Sequence, residues 1–287
     1  MKGHLLLTVA AVAIAVATTA FPLGSLAQTA ATGPAIITSV GGSATISTEG
    51  MSPGGEMWAE WYSVPAGKVV EEAAPAQKWA YVEMTLTGSA VVTGDPAPTC
   101  RFLSAGGAQA EGSDHTTDPG DMMACNYAAL PASRTDNRGS QPYVFAGLSV
   151  GGPWGETAED SGESYLKANG LAQLVQLPTS KFGEVEKEIL KAGAMTVAIR
   201  NVTMPPGSRI VETDHYPTVR MVENGELTWG LLPEGSDAPS DPKVRKPFEM
   251  TEWSPASADK QIVLTNGGDQ PVQFVEWTVA PAQSAKP

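Results

Sequence analysis

A pattern of turn and strand residues occurs twice along the chain, and this repeat restricts the fold more than any other sequence feature. The segment Val64–Gly67 (Val-Pro-Ala-Gly) resembles Met204–Gly207 (Met-Pro-Pro-Gly), and the two glycines lie 140 positions apart. An apolar strand pattern follows each Pro-x-Gly, and a glycine-marked hairpin follows at Gly88 and at Gly225. Matching segments in the same order indicate that one domain has been duplicated.

Two further pairs of segments extend the repeat toward the end of each half. Pro131–Ser133 resembles Pro255–Ser257, and Gln141–Val150 resembles Gln270–Val279. The chain of 287 residues is too long for one small domain and fits two units of about 130 residues. After a leader, we expect an N-terminal domain over residues 28–155 and a C-terminal domain over residues 156–287.

Strand patterns predominate in both units and predict an all-β fold with little helix. The 30 Gly and 23 Pro residues are typical of short strands joined by turns. In the last segment, Val272, Phe274 and Glu276 lie on one face, and Gln273, Val275 and Trp277 lie on the other. This period of two residues is that of a strand. Residues 181–192 are either a short helix or an extended connection, and residues 93–121, 151–169 and 233–247 are predicted to be long loops.

The first residues have the pattern of a secretory signal peptide. An apolar run over Leu5–Ala17 precedes Ser25-Leu26-Ala27, which places small residues at the usual cleavage positions. We expect cleavage after Ala27 and export to the periplasm or the medium, with no membrane insertion of the mature chain. The alternative is an uncleaved N-terminal anchor, but the run is shorter than the roughly 20 residues of a membrane-spanning helix.

Cys100 and Cys125 are the two cysteines of the chain. In an exported protein such a pair is expected to form a disulfide. The bridge would close a loop of about 26 residues and stabilise the fold by roughly 3 kcal/mol. The alternative is two unpaired buried thiols, each packed as a small apolar side chain.

The balance of charges excludes one class of partner. The formal net charge is −13, from 31 acidic and 18 basic residues. An acidic chain has no electrostatic attraction to a phosphate backbone, so we expect no nucleic-acid binding.

The order of these motifs resembles the cupin superfamily. The C-terminal half shows it best, with Pro206-Gly207, the Asn224-Gly225 hairpin and the turn Thr265–Pro271 before the closing strand. The N-terminal half resembles a diverged copy. The resemblance implies a bicupin, that is, two jelly-roll β-barrels in tandem.

The metal ligands are where the chain departs from that family. The family's motif is Gly, five residues, His, one residue, His, three or four residues, Glu, with a further His after a second motif. The C-terminal positions hold Thr213, His215, Val219 or Arg220, and Lys260, and the N-terminal ones hold Ala73, Pro75, and Trp79 or Ala80. One ligand of four survives, so we predict no metal and no other cofactor.

The family's geometry still implies a pocket in the C-terminal barrel. His215 is the candidate acid or base. Candidate ligand-binding residues are Glu212, Arg220, Glu223, Trp229 and Lys260. An interior Arg220 would hold a carboxylate through paired hydrogen bonds. Each of these residues has an ordinary structural alternative, as a solvated strand face or turn. A second group, Asp114, His115, Asp118 and Asp121, matches no known metal loop and is typical of a polar loop.

Three functions remain open from the sequence. The first is an exported, metal-independent bicupin that binds a small molecule, either sugar-like or an organic acid. The second is a metal-independent isomerase or lyase that uses His215. The third is a structural or interaction protein, with a homodimer formed through barrel edges. Whether the protein is an enzyme is left undecided.

Overall fold

The computed structural model describes residues 36–51, 56–72, 78–94, 100–105, 109–110, 114–129, 132–151, 172–176, 180–181, 183–251 and 259–282. The predicted signal peptide, the predicted boundary at residue 155 and the repeat segment Pro255–Ser257 lie outside these residues.

The described chain is almost entirely strand, which confirms the predicted all-β class. The first half contains β1 (Thr38–Ser47), β2 (Glu56–Val64), β3 (Val69–Glu72), β4 (Lys78–Thr87), β5 (Ala90–Gly94), β6 (Cys100–Leu103), β7 (Gln109–Ala110), β8 (Asp114–Thr117), β9 (Met122–Ala129), β10 (Ser133–Asp136) and β11 (Tyr143–Gly151). The second half contains β12 (Ala172–Gln176), β13 (Ser180–Lys181), α1 (Gly183–Ala192), β14 (Ala194–Met204), β15 (Arg209–Thr213), β16 (Thr218–Asn224), β17 (Leu227–Leu231), β18 (Ser240–Arg245), β19 (Gln261–Thr265) and β20 (Val272–Pro281).

The strands form two pairs of facing antiparallel sheets, and each pair is one jelly-roll barrel. In the N-terminal barrel, the order β12-β2-β11-β4-β9-β6-β7 faces the order β3-β10-β5-β8, with β13 beside β2. In the C-terminal barrel, the order β1-β14-β20-β16 faces the order β15-β19-β17-β18. The central strand orders correspond one to one, so the tandem jelly-roll prediction is confirmed.

The turn before the closing strand shows the duplication most directly. Asn266 Nδ2 donates to Met204 O at 2.9 Å and to Gln270 O at 2.8 Å. Asn137 makes the equivalent bonds to Val64 O at 2.8 Å and to Gln141 O at 2.9 Å. Both asparagines are fully buried, and each accepts a backbone N–H two residues later through its own Oδ1. An Asn-x-Gly-x-Gln-Pro sequence therefore builds the same turn in both barrels.

The two halves of the chain exchange edge strands. β1 comes early in the sequence but pairs with β14 of the C-terminal barrel, from Thr38 opposite Thr203 to Ser47 opposite Ala194. β12 and β13 come from the second half but pair with β2 of the N-terminal barrel. In each barrel, the sheet that contains the exchanged strand is therefore built from two separate segments of the chain.

A shared core lies between the two large sheets. Alternate residues of the central strands, including Val82, Leu148, Val197 and Trp277, are buried in one apolar cluster contributed by both barrels. The other residues of the same strands face the barrel interiors, because successive side chains of a strand point to opposite faces. This alternation leaves every second residue available to line a barrel.

Regular structure occurs in two of the predicted loops and in the connection over residues 181–192. Residues 93–121 include β6, β7 and β8, and residues 233–247 include β18, so the prediction of long loops there was wrong. These strands are short or polar, with Asp, Pro and Lys in β18, and give no apolar alternation to detect. Residues 183–192 form α1, and Ile189 anchors it by packing into the shared core.

The predicted disulfide is confirmed. Cys100 on β6 and Cys125 on β9 lie directly opposite each other and are bonded. Within the described ranges, no helix is both long and apolar enough to cross a membrane.

Candidate functional site

A row of charged side chains crosses the large sheet of the C-terminal barrel. Arg200 on β14 and Arg220 on β16 both lie opposite Glu276 on β20. All three share the strand face of Val202, Val222 and Phe274, whose side chains pack inside this barrel. The row therefore points into the barrel interior.

Arg220 is the centre of this network and is only 3% exposed. Its guanidinium donates to Asp214 at 2.8 and 3.0 Å and to Glu212 Oε1 at 2.5 Å. Its Nε lies 2.7 Å from Glu276 Oε2, a contact that is an ion pair without the alignment of a hydrogen bond. The backbone of Arg220 is held in turn by Thr251, which both accepts from its N–H and donates to its C=O.

Arg200 closes the network nearer to solvent. Its Nη2 donates to Glu276 Oε1 at 2.6 Å and to Glu212 Oε2 at 3.2 Å, and its side chain is 25% exposed. Two guanidinium groups thus face three carboxylates, those of Glu212, Asp214 and Glu276. The interior group has a formal charge of −1 when all five members are ionised.

Burial and pairing act in opposite directions on these groups. Burial alone raises the pKa of Glu212, but the adjacent Arg220 and Arg200 outweigh it and lower the pKa below its ordinary value. Burial raises the pKa of Glu276, and the neighbouring Glu212 raises it further against the two arginines. Burial lowers the pKa of Arg220, but Glu276, Glu212 and Asp214 reverse this effect, so Arg220 stays charged.

The other predicted residues do not join this network. His215 is 49% exposed at the side chain, and its Nδ1 lies 2.7 Å from Asp259 Oδ1, itself 76% exposed. Lys260 is exposed just before β19. Of the six candidates, Glu212 and Arg220 are brought together inside the barrel, whereas His215 and Lys260 lie at the surface.

The remaining two candidates, Glu223 and Trp229, lie elsewhere in the C-terminal barrel. Glu223 accepts a hydrogen bond from Trp61 Nε1 of the N-terminal barrel at 2.8 Å, so it belongs to the contact between the barrels. Burial raises the pKa of Glu223, although the hydrogen bonds from Trp61 and Asn201 oppose it. Trp229 packs against the apolar core of the C-terminal barrel, with Lys243 Nζ 5.9 Å from its ring centroid.

The equivalent row of the N-terminal barrel has the opposite chemistry. Glu60 on β2 and Glu83 on β4 both lie opposite Gly147 on β11. Strand for strand, Glu60, Glu83 and Gly147 occupy the places of Arg200, Arg220 and Glu276. Both glutamates are more than nine-tenths buried.

Hydroxyl groups surround these two carboxylates. Glu60 accepts from Tyr62 Oη and Ser149 Oγ, both at 2.9 Å, and Glu83 accepts from Tyr81 Oη at 3.0 Å. Tyr81 lies across Gly147, where an added Cβ would come within 2.6 Å of its hydroxyl oxygen. Glycine at this position therefore makes room for a tyrosine inside the barrel.

Deeper in the same barrel, Tyr143 is fully buried beneath this row. Its hydroxyl contacts Thr85 Oγ1 at 3.1 Å and accepts from Thr117 Oγ1 at 3.2 Å. Burial, together with the charge of Glu83, raises the pKa of Tyr143 well above its ordinary value. The phenol is therefore neutral.

The acidic group around His115 is divided by the fold. His115 points into the barrel and stacks on Phe102, with 3.7 Å between the ring centroids. Asp121 instead accepts the backbone N–H groups of Ala105 and Asp118, which is ordinary loop chemistry.

Several of these interior residues were missed from the sequence. Arg200, Asp214, Glu276 and Glu60 were not singled out, although Glu276 was placed on the correct strand face. One signal was available: Glu60 lies seven residues before Gly67, and Arg200 lies seven residues before Gly207. Charged residues at matching strand positions of a repeat mark a pair of equivalent sites.

The donor set of the C-terminal barrel does not fit the divalent metal ion that the cupin resemblance implies. Its three interior carboxylates already face Arg220, and a second cation there would meet that guanidinium. Among the residues that the structure describes, no group of three or more His, Cys, Asp or Glu side chains is arranged to hold a metal ion.

No protein-family model matches the chain, and no curated protein matches it in sequence. Solved structures do resemble it. An oxalate decarboxylase from Lactobacillus farciminis in complex with formate has a TM-score of 0.47 and 13% identity, over 87% of this chain and 84% of that one. Bacillus subtilis oxalate decarboxylase, in a structure described by its Mn(II) centers, has a TM-score of 0.46 and 13% identity, over 84% and 78%. AerE from Microcystis aeruginosa has a TM-score of 0.43 and 11% identity, over 84% and 97%.

One prediction needs correction in the light of these structures. We predicted that the protein has no cofactor, yet a protein of similar fold is described by Mn(II) centers, so a strict absence does not follow from the fold. Loss of the His ligands of one motif does not exclude a cofactor, because other residues can hold one. The chain has the two tandem jelly-roll barrels that the resemblance to cupins implied.

Proposed function

We propose that this protein binds a small, neutral, hydroxyl-rich molecule, such as a sugar, inside its N-terminal barrel. The observation that carries the proposal is the row Glu60–Gly147–Glu83, in which buried carboxylates are bonded to the hydroxyls of Tyr62, Tyr81 and Ser149. A ligand hydroxyl offers the same donors and acceptors as these side chains. It can therefore replace one of their hydrogen bonds at little net cost, because the bond that is broken, about 1.5–3 kcal/mol to a charged group, is replaced by one of the same kind.

The C-terminal barrel is less suited to binding. A ligand there would separate Arg220 from Glu212, Asp214 or Glu276, and breaking a buried ion pair costs about 3–5 kcal/mol. We assign a structural role to this barrel and a binding role to the other.

The charge of the interior rows favours a neutral ligand over an organic acid, the other class that the sequence allowed. The hydroxyls and carboxylates of the Glu60–Gly147–Glu83 row match the hydroxyl groups of a neutral ligand, and the C-terminal network already has three carboxylates against two guanidinium groups. A carboxylate bound to Arg220, as the sequence first indicated, would have to displace acidic partners that are already in place.

Export of the protein remains part of the proposal. The leader pattern of residues 1–27 supports it, and the Cys100–Cys125 disulfide is of the kind that persists in an oxidising compartment. The ligand would then be met outside the cytoplasm.

A non-binding, structural protein is the second candidate. The side chains of both interior rows bond to one another, which favours barrels that serve only as a scaffold. The enzyme hypothesis based on His215 has less support, because His215 is half-exposed and pairs with exposed Asp259 instead of with the buried Arg220 network.

A thermal-shift screen of the purified chain tests these alternatives, with sugars, polyols, amines and carboxylic acids as probes. We expect stabilisation by a neutral polyol or sugar, lost in Glu60→Gln and Glu83→Gln. Glu71→Gln is the matched control, because its side chain is 72% exposed. Binding that survives both interior substitutions would contradict the site, and no binding by any class would favour the scaffold. Elemental analysis of the same preparation shows whether a metal co-purifies.

A further inference from the structure

The outer edge of β1 faces away from the rest of its sheet. β1 is the last strand of its sheet and pairs with β14 on one side. Ser47 and Thr48 show which backbone groups face which way. Thr48 N–H donates to Gly193 O toward β14, whereas Ser47 N–H donates to Asn126 Oδ1 on the opposite side. Since the direction alternates along a strand, the odd-numbered residues of β1 direct their backbone groups outward.

Hydrogen bonds from the described residues of the N-terminal barrel reach only the end of this edge, while Met122 and Gly120 pack against the face of the strand at Gly42 and Val40. Thr45 O accepts from Arg101 Nη2, and Ser47 is held by Asn126. Earlier in the strand, Ser39, Gly41 and Ser43 are exposed. Within the described part of the chain, no hydrogen bond reaches their outward N–H and C=O groups. We call these three residues the open edge.

The composition of β1 sets it apart from the other edge strands of the smaller sheets. Unpaired edges attract a further strand, and proteins usually prevent this with charged residues or proline. β1 (Thr-Ser-Val-Gly-Gly-Ser-Ala-Thr-Ile-Ser) has neither. The other edges do: Glu71 in β3, Asp114 in β8, Arg209 and Glu212 in β15, and Asp241, Pro242 and Lys243 in β18. β16, the far edge of the same sheet, is covered by the backbone of Glu249 and Thr251.

We propose that two copies of this chain pair through the open edge, antiparallel and centred on Gly41. A second copy fits because the edge is complementary to itself. With the two-fold axis at Gly41, Ser39 lies opposite the partner's Ser43, and Gly41 lies opposite the partner's Gly41. In that register each outward-facing residue meets another outward-facing residue, and each pair exchanges two backbone hydrogen bonds.

Small side chains allow the approach, and the strand carries no charge that would repel its own copy. Val40, which is 53% exposed beside the edge, gains apolar contact in the dimer. The paired stretch is short and the chain has a net charge of −13, so the dimer is concentration-dependent and strengthens with salt.

Sedimentation equilibrium of the full chain over a range of concentrations tests the proposal. We expect a monomer–dimer equilibrium in the unmodified protein. Ser39→Asp with Ser43→Asp places like charges opposite each other twice in the dimer and should raise its dissociation constant about tenfold or more. Ser39→Lys with Ser43→Glu places opposite charges there instead and should restore dimerisation.

A control separates the edge from net charge alone. Val244→Asp with Gln270→Asp adds two negative charges at exposed positions elsewhere and should leave the equilibrium nearly unchanged. Circular dichroism and melting temperature show that each variant is folded. A protein that stays monomeric at all attainable concentrations overturns the proposal, as does a dimer that the double Asp variant leaves intact.

Discussion

Arg220 and Glu83 occupy the same place in the two barrels of this protein, although their charges are opposite. Each lies on the strand that follows the Pro-x-Gly turn and its short strand, and each faces the central residue of the closing strand, Glu276 or Gly147. One barrel therefore holds a row of paired opposite charges, and the other holds carboxylates bonded to hydroxyls. This difference is the basis for assigning them different roles.

Removal of Arg220 should be severely destabilising. Arg220→Met leaves Glu212, Asp214 and Glu276 buried without their central cation, so we expect a loss of about 3–5 kcal/mol in the free energy of unfolding. Urea denaturation at neutral pH measures it. Arg138→Ala is the control, because Arg138 is 71% exposed and its pair with Asp136 should contribute little. Equal effects of the two changes would contradict a buried network.

Glu223 should limit stability at neutral pH. Burial raises its pKa in the folded protein, so the folded state binds the proton more tightly than the unfolded chain does. The ionised carboxylate is therefore a cost above the folded pKa, and this cost disappears as the pH falls below the unfolded pKa of about 4.3.

Glu223→Gln should consequently stabilise the protein at pH 7, where glutamine still accepts from Trp61, and the advantage should shrink in acid. Denaturation curves from about pH 4 to pH 8 measure the difference. Glu226→Gln, at an exposed position, should show no such trend. If the stabilisation by Glu223→Gln instead increased toward acid pH, the raised pKa of Glu223 would be contradicted.

The repeated asparagine turn should be essential in both barrels. Asn266→Ala removes two donors from buried carbonyl groups, and we expect a loss of about 2–4 kcal/mol. Asn137→Ala should cost a similar amount, because its bonds are the same. Thermal unfolding compares them with Asp269→Ala, an exposed position in the same turn. Tolerance of either asparagine change would show that the turn is held by its backbone alone.

Reduction of the disulfide should lower the melting temperature. The Cys100–Cys125 bridge closes a loop with a sequence separation of 25, for which chain-entropy reasoning gives about 3 kcal/mol. Calorimetry with and without a reductant measures the shift. A Cys100→Ser, Cys125→Ser double variant should melt at the lower temperature and no longer respond to the reductant.

The local parts of this fold follow from the sequence. The Pro-x-Gly turns and the Asn224-Gly225 hairpin need particular backbone angles, and Gly67, Gly207 and Gly225 do adopt positive φ. The alternation of Val272, Phe274 and Glu276 depends only on strand geometry, so their shared face was predictable. Repetition of these short-range signals predicted two copies of one β domain, and the resemblance to cupins implied that each copy is a jelly-roll barrel.

The interior network was not predictable in the same way. Glu212, Asp214 and Arg220 are near one another in sequence, but Arg200 and Glu276 reach them only because the sheet places three strands side by side. Arg220 is not free to bind a ligand, because its guanidinium already pairs with carboxylates, among them that of the distant Glu276.

The sequence by itself determined the strands, the turns and the duplication, because these follow from backbone conformation and from side chains at fixed short spacings. Only the tertiary structure decided that Glu223 contacts Trp61 of the other barrel, that His215 stays at the surface and that β1 joins the barrel of the opposite half. Burial and charge pairing depend on residues far apart in the chain, and folding alone brings those residues within interacting distance.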